Sequence, residues 1–330
     1  MSLADTSALP VYLLTGFLGS GKTTLLSRLV RSAAFQDTAV VINEFGEVGL
    51  DHLLVGQAND SDIVLLDSGC LCCAGSGSLA ETLESLYYRR KRGELPAFAR
   101  VVVETSGLAD PGPVINTLAS DTLIARHYRF GGAVATLDAV HGVESVQAYR
   151  EAATQIAIAD RIALTKTDIA GPAAIDTARQ LLASRNPTAR VLETTPTALD
   201  HQAHDLFDGL TAGHLEAVPA QAAGLSTPIA HVLRYGIASY LWRQQGPLGW
   251  DRYAAWVRAM QRDFGDRLLR AKGLLRWTDG TIRAVHGVHH LFNAPEPLRV
   301  DEGARQVGAM VIIARDVAAD DLAEVMRLLD

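Results

Sequence analysis

The run Gly16-Phe17-Leu18-Gly19-Ser20-Gly21-Lys22-Thr23 has the residue types and the spacing to hold a polyphosphate. Its glycines allow backbone N–H groups to turn inward around phosphate oxygens at the start of a helix, where the helix dipole also favours negative charge. Gly16, Gly19, Ser20, Gly21, Lys22, Thr23 and Thr24 are therefore candidate nucleotide contacts, with Lys22 reaching the β- and γ-phosphates. The Thr23 hydroxyl would complete the shell of a Mg²⁺ ion. A chance glycine-rich turn is the bland alternative. The flanking pattern argues against it, because residues 11–14 read as a buried strand and residues 24–30 have helical spacing.

Two more segments carry nucleotide chemistry. The apolar residues 101–103 run into Glu104-Thr105-Ser106-Gly107. A carboxylate at such a strand end can hold the Mg²⁺ shell through water, and the backbone of Gly107 can approach the γ-phosphate. Lys22, Thr23 and Glu104 thus form the candidate catalytic set. Thr165-Lys166-Thr167-Asp168 follows the apolar run 161–164, the position where GTP-binding P-loop proteins carry Asn-Lys-x-Asp. The Asp168 carboxylate would accept hydrogen bonds from guanine N1–H and the exocyclic amine, which adenine cannot offer. Thr165 replaces the Asn, exchanging an amide for a hydroxyl. Gly107, Thr165, Lys166 and Asp168 join the candidate nucleotide contacts.

A different chemistry sits in Cys70-Leu71-Cys72-Cys73, which holds all 3 cysteines of the chain. Thiolates are soft ligands suited to Zn²⁺ or Cu(I). In extended backbone Cys70 and Cys72 face one way and Cys73 the other, so the chain must turn there for all three to converge. A fourth ligand has to come from elsewhere, and Glu44 and Glu47 in Asn43-Glu44-Phe45-Gly46-Glu47 are the nearest candidates. Burial in a core is the bland reading, since free cysteine is often buried, but three within four positions is unusual for a core.

These residues need a frame that brings separate loops to one edge. Over the first two-thirds of the 330 residues, short apolar runs near 11–14, 39–42, 63–66, 100–103, 132–137, 161–164 and 190–192 alternate with helical patterns. That order predicts an α/β fold, a doubly wound, mostly parallel sheet with helices on both faces. After residue 192 periodicity weakens, and from residue 228 a strand–helix–strands–helix order predicts a smaller α+β domain. The expected division is 1–195 for the nucleotide domain, 196–226 for a linker and 227–330 for the second domain.

Composition narrows the class. The net charge of −7 argues against a general nucleic-acid binder. The basic run Arg89-Arg90-Lys91-Arg92 reads as the solvated end of an amphipathic helix. No apolar stretch is long enough to span a bilayer, and Met1-Ser2-Leu3-Ala4-Asp5 lacks the basic start of a secretory signal. A cytoplasmic protein with no membrane partner is expected, with its thiols kept reduced.

Taken together, the phosphate loop, Asn43-Glu44-Phe45-Gly46-Glu47, Gly69-Cys70-Leu71-Cys72-Cys73, the segment 104–111 and Thr165–Asp168 resemble the CobW-like family of P-loop GTPases. Members of that family act in metal handling, as zinc metallochaperones, nickel-enzyme maturation proteins and a cobalamin-synthesis branch. The Cys-x-Cys-Cys between the phosphate loop and the Glu-x-x-Gly element is the discriminating feature. The resemblance implies that Cys70, Cys72 and Cys73 bind a transition metal and that nucleotide and metal sites are coupled; Glu47 is the candidate taken to join the three thiols. Residues 268–273 and 285–292 resemble the family's smaller appended domain. His201, His204, His214, His286, His289 and His290 are too scattered to form the histidine-rich tract of some relatives. On a strand, His289 and His290 would point to opposite faces.

The expectation is a GTP-hydrolysing metallochaperone using GTP, Mg²⁺ and Zn²⁺ or another divalent transition metal, delivering metal to a client metalloprotein. No residue of the sequence identifies a catalytic arginine or a water-orienting group. Turnover should therefore be slow unless a partner, or a second copy in a homodimer, completes the site. The competing classes are a metal-responsive regulatory GTP-binding protein with incidental hydrolysis and, disfavoured by Asp168 and the cysteines, a kinase-like enzyme.

Overall fold

Apolar runs separated by helical patterns bury both faces of a sheet only if the strands run parallel with helices above and below. The computed structural model has this arrangement. It describes residues 8–43, 64–67, 79–195, 205–207, 210, 224–225, 235–298 and 307–330. Strands β1 (Leu9–Gly16), β2 (Thr38–Asn43), β3 (Val64–Asp67), β4 (Arg100–Thr105), β5 (Tyr128–Asp138), β6 (Arg161–Thr165) and β7 (Arg190–Glu193) pair in the order β3-β2-β4-β1-β5-β6-β7. Every pairing among them is parallel.

Helix α1 (Lys22–Leu29) covers one face, packing Leu25, Leu26 and Leu29 onto Leu14, Val40 and Val102. The other face carries α2 (Leu79–Lys91), α3 (Gly112–Ser120), α4 (Ile124–His127), α5 (Gly142–Ala148), α6 (Arg150–Ile158) and α7 (Pro172–Arg185). The basic residues at the end of α2 behave as a helix terminus. Arg90 donates to the Phe98 carbonyl at 2.9 Å and lies over its ring, while Arg92 pairs with Glu94.

Beyond β7, β8 (Gly224–Leu225), β9 (Ile237–Arg243), β10 (Leu268–Arg276), β11 (Ile282–Val288), β12 (Leu291–Phe292), β13 (Glu296–Leu298) and β14 (Ala309–Arg315) form an antiparallel sheet. Helices α8 (Trp250–Asp263) and α9 (Ala319–Met326) cover one face, with Trp256, Met260, Leu322 and Met326 against Tyr240 and Trp242. The opposite face shares a core with the first domain, where Leu241, Leu269 and Ile313 meet Ile156, Ile158 and Leu182. The first strand expected after residue 228, at 229–233, lies outside the described residues, and sequence pattern alone missed β9 and also β10, whose apolar run Arg270 and Lys272 interrupt. Both charges are buried.

Their countercharge comes from the first domain. Asp160, just after α6, pairs with Arg270, lies 3.3 Å from His286 Nε2 and 3.7 Å from Lys272 Nζ. Arg270 also donates to the Ile158 carbonyl at 2.6 Å and to the Thr188 hydroxyl at 3.1 Å. Burial by itself would raise the Asp160 carboxyl, but the surrounding Arg270, His286 and Lys272 hold it below the usual carboxylate range. Burial pushes His286 down to about 3, so the imidazole is neutral despite the nearby carboxylate. Burial also lowers Lys272, to about 8.

Candidate functional site

The first strand ends at Gly16, where φ is +144° and an added Cβ would sit 2.1 Å from Thr136 Oγ1. Only glycine lets the loop leave β1 this close to β5. Ser20 Oγ then meets Thr136 Oγ1 at 2.6 Å, tying the loop to the same strand. Lys22 opens α1 and folds its ammonium back onto the loop, donating to Gly16 O at 2.8 Å and Phe17 O at 3.2 Å. The N-terminus of α1 has no side-chain cap and no acidic residue in its first turn. Its N–H groups therefore face an opening with no side-chain acceptor of their own, a setting that suits an anion.

Glu104, near the end of β4, is 2% exposed, and its Oε1 accepts a hydrogen bond from Thr23 Oγ1 at 3.1 Å. Thr105 Oγ1 and Thr15 Oγ1, 2.9 Å apart, fix β4 to β1 beside it. Two hard oxygens converging at the loop fit a Mg²⁺ ion, which takes few protein ligands and keeps the rest for water and phosphate. Gly107 packs directly on the loop, since a Cβ there would lie 2.8 Å from the Leu18 nitrogen.

Next to these groups is a cavity of about 260 Å³ whose walls include Gly21, Thr24, Arg28, Thr165, Asp168 and Thr195. Thr165 explains the departure from Asn-Lys-x-Asp. Its hydroxyl donates to Ser20 O at 2.7 Å, so the Thr165–Asp168 loop is tied to the Gly16–Thr23 loop by a hydroxyl in place of an amide. Lys166 adopts a left-handed conformation, φ +58°, and its ammonium lies 2.6 Å from Asp138 Oδ2. Burial would raise Asp138, but the hydrogen bonds from Lys166 and from the N–H groups of Val140 and His141 hold it below the usual carboxylate range.

Asp138 was not foreseen. The β5 pattern fades at Leu137, yet the next residue is a carboxylate that pairs in register with Thr165. Arg28 was also missed. It lies one helical turn after Thr24 and lines both this cavity and the one over the phosphate loop.

Cys70, Cys72, Cys73, Glu44 and Glu47 lie outside the described residues, as do His201, His204 and His214. The strands leading to the cysteines and to Glu47 do fall within them. In register, Ile42 pairs with both Asp67 and Glu104, and Glu104 pairs with Leu14. The ends of β2 and β3 therefore share the edge that carries the phosphate loop. Among the described residues no group of three or more His, Cys, Asp or Glu is placed to hold a metal. His289 and His290 occupy a turn after β11, not a strand, and His289 is buried next to Gly112.

With this geometry established, comparison with known proteins fixes the class. Residues 10–193 match the CobW/HypB/UreG nucleotide-binding domain, and residues 237–328 match the cobalamin synthesis protein CobW C-terminal domain. The chain is 35% identical to the zinc chaperone YjiA of Escherichia coli over 289 residues, 86% of this chain and 87% of that protein. It is 32% identical to the zinc-regulated GTPase metalloprotein activator 1 of Schizosaccharomyces pombe over 197 residues, 58% of this chain and 47% of that one. The crystal structure of Zn(II)-bound YjiA GTPase superimposes with a TM-score of 0.70 at 25% identity, covering 98% of this chain and 99% of that one. The chain belongs to the CobW/HypB/UreG family. Among the described residues no helix is long and apolar enough to cross a membrane.

Proposed function

We propose that this protein is a cytoplasmic GTPase that binds a transition metal, most plainly zinc, and ties its delivery to a client metalloprotein to the nucleotide state. The observation that carries this reading is the convergence of three separate segments at one sheet edge. Thr23 meets Glu104, and Thr165 is tied to Ser20. Lys22 leaves its loop carbonyls to stabilise charge on the transferring phosphoryl group, and the loop amides cradle it. Thr23 and Glu104 would hold Mg²⁺, which would supply neutralising charge to the phosphates. Asp168 selects guanine, with Thr165 and Lys166 setting its loop. In this reading residues 1–195 form the GTPase domain, 196–226 the linker and 227–330 the second domain. Intrinsic turnover should be slow unless a partner or a second copy completes the site.

Cys70, Cys72, Cys73 and Glu47 are the metal ligands. The strands that precede them end at the nucleotide edge, which supports coupling between the two sites. Linkage makes such coupling reciprocal. Zinc affinity, titrated against a chelating dye, should differ between the GTP- and GDP-bound protein by roughly 5–150-fold, the usual range for coupled sites. Replacing all three cysteines with Ser should erase the difference and keep nucleotide binding. Equal affinities in both states, or coupling that survives the loss of all three thiols, would overturn the metallochaperone reading.

A further inference from the structure

The loop after β4 is held from two sides. On one side Gly107 presses on the phosphate loop at Leu18. On the other, the side-chain amide of Gln155 donates to the carbonyls of both Gly107, at 3.2 Å, and Ala109, at 3.1 Å. Between these anchors the loop closes a turn, with Ala109 N–H donating to Ser106 O at 3.0 Å. One amide thus fixes two peptide planes of the segment that faces the γ-phosphate position.

Gln155 is itself fully buried, and its Oε1 has no hydrogen-bond partner among the described residues. An amide that leaves its acceptor unsatisfied in a core carries a cost that a methionine or leucine would avoid. Its two donor bonds to the loop are what it gains there. The platform beneath it is rigid. Helix α6 is buried from Ala152 to Ile158. Arg315 of β14 donates to Thr154 Oγ1 at 2.8 Å, Arg270 of β10 donates to Ile158 O, and Asn186 donates to Ile156 O and Ala159 O at 2.8 Å. The C-terminal sheet therefore buttresses the helix from which Gln155 reaches the loop.

We infer that Gln155 is the positioning residue that holds the 106–109 turn against the phosphate loop, so that the protein distinguishes GTP from GDP. The inference rests on the GTPase reading above. With the donors in place the turn is set for the γ-phosphate before it arrives. Without them it must be ordered on binding, and only the nucleotide that has a γ-phosphate bears that cost.

The test compares Gln155→Met with the parent in the full-length protein, measuring affinities for GDP and for a non-hydrolysable GTP analogue, together with turnover. Met keeps the volume and removes both donors; relief of the unpaired Oε1 offsets the carbonyls left short of a partner, so thermal stability should change little. Analogue affinity should fall about tenfold, the scale of two neutral hydrogen bonds, while GDP affinity stays within twofold. A purely structural role would lower both affinities together. Gln155→Glu gives a second reading if the Met variant does not fold. Protonated, Glu can donate one bond, so GTP preference should be intermediate at low pH and decline as the carboxyl ionises. Equal effects on both nucleotides, or an unchanged or higher analogue affinity, would overturn the inference. A parent protein that binds neither guanine nucleotide would instead remove the GTPase reading on which it stands.

Discussion

The Lys22–Thr23–Glu104 group and the Asp160–Arg270–Lys272–His286 group are both polar and both largely buried, yet one borders a cavity and the other is sealed. At the phosphate loop, Lys22 donates to two loop carbonyls and Thr23 to a carboxylate, beside an open space of about 650 Å³. Each of these bonds can be exchanged for one to a ligand. At the domain junction a single carboxylate meets three basic side chains, and its second oxygen accepts the Ala133 N–H at 2.9 Å. No direction is left for a ligand. Buried polarity by itself therefore does not mark a reactive site. What marks one is a set of bonds with replaceable partners facing open space.

The sharpest way to break this contrast is to remove the central charge of the sealed group. Asp160→Asn leaves Arg270 and Lys272 buried without their countercharge, a loss of about 3–5 kcal/mol in stability by analogy with broken buried pairs. Calorimetry should show a large fall in melting temperature, while GDP affinity, measured well below that temperature, should hardly change. A stable variant with impaired nucleotide binding would mean that the two groups are not separate.

The same group should make the parent acid-sensitive, and the sign follows from two depressed groups. His286 titrates at about 3 in the fold against an ordinary 6.5, so the unfolded chain takes up its proton first and stability falls as pH drops below about 6.5. Asp160 is also depressed, so its contribution is present above the ordinary carboxylate range and is lost at still lower pH. Melting temperature should decline in that order, and His286→Leu should flatten the upper part of the decline. A melting temperature constant from pH 7 to pH 5 would contradict the burial assigned to His286.

Next in size is an effect confined to the open group. Asp168→Asn should lower GTP affinity by roughly 5–150-fold, the scale of about 1–3 kcal/mol for a hydrogen-bond partner left unsatisfied. It should admit xanthosine triphosphate, whose base presents a carbonyl where guanine presents its amine. Melting temperature should stay near the parent value. Competition binding with GTP, XTP and ATP decides it, and an unchanged preference for GTP would place base recognition elsewhere.

The two groups also differ in how far the sequence disclosed them. The phosphate loop, Glu104 and Thr165–Asp168 were legible because their chemistry needs fixed residue types at short spacing beside apolar strands. The parallel sheet followed from the same alternation of runs. The junction was not legible, because Asp160 meets Arg270 110 positions away in sequence and no local pattern records that pairing. Charges inside β10 even hid the strand, since Arg270 and Lys272 look like surface residues until a partner is in view. Asp138 fell between the cases. Its strand was read, but its role depends on Lys166, 28 residues on, adopting a left-handed turn.

The smallest effect sharpens the comparison within the open group itself. Thr165 and Gln155 both donate to loop carbonyls, but at different parts of the candidate nucleotide site. Thr165 Oγ1 donates to Ser20 O and so joins the Thr165–Asp168 loop to the Gly16–Thr23 loop. Thr165→Val keeps the shape and removes that donor, leaving a buried carbonyl one bond short. The expected loss is about 1 kcal/mol, roughly fivefold in affinity, and it should fall equally on GTP and GDP because both carry the base and the β-phosphate. Thr165→Asn introduces the residue usual at this position in GTP-binding loops and should recover affinity if its amide reaches the same carbonyl. Isothermal titration with both nucleotides separates the outcomes. A loss confined to GTP would move Thr165 into the γ-phosphate machinery with Gln155, and no loss at all would show that the tie between the loops does not govern binding.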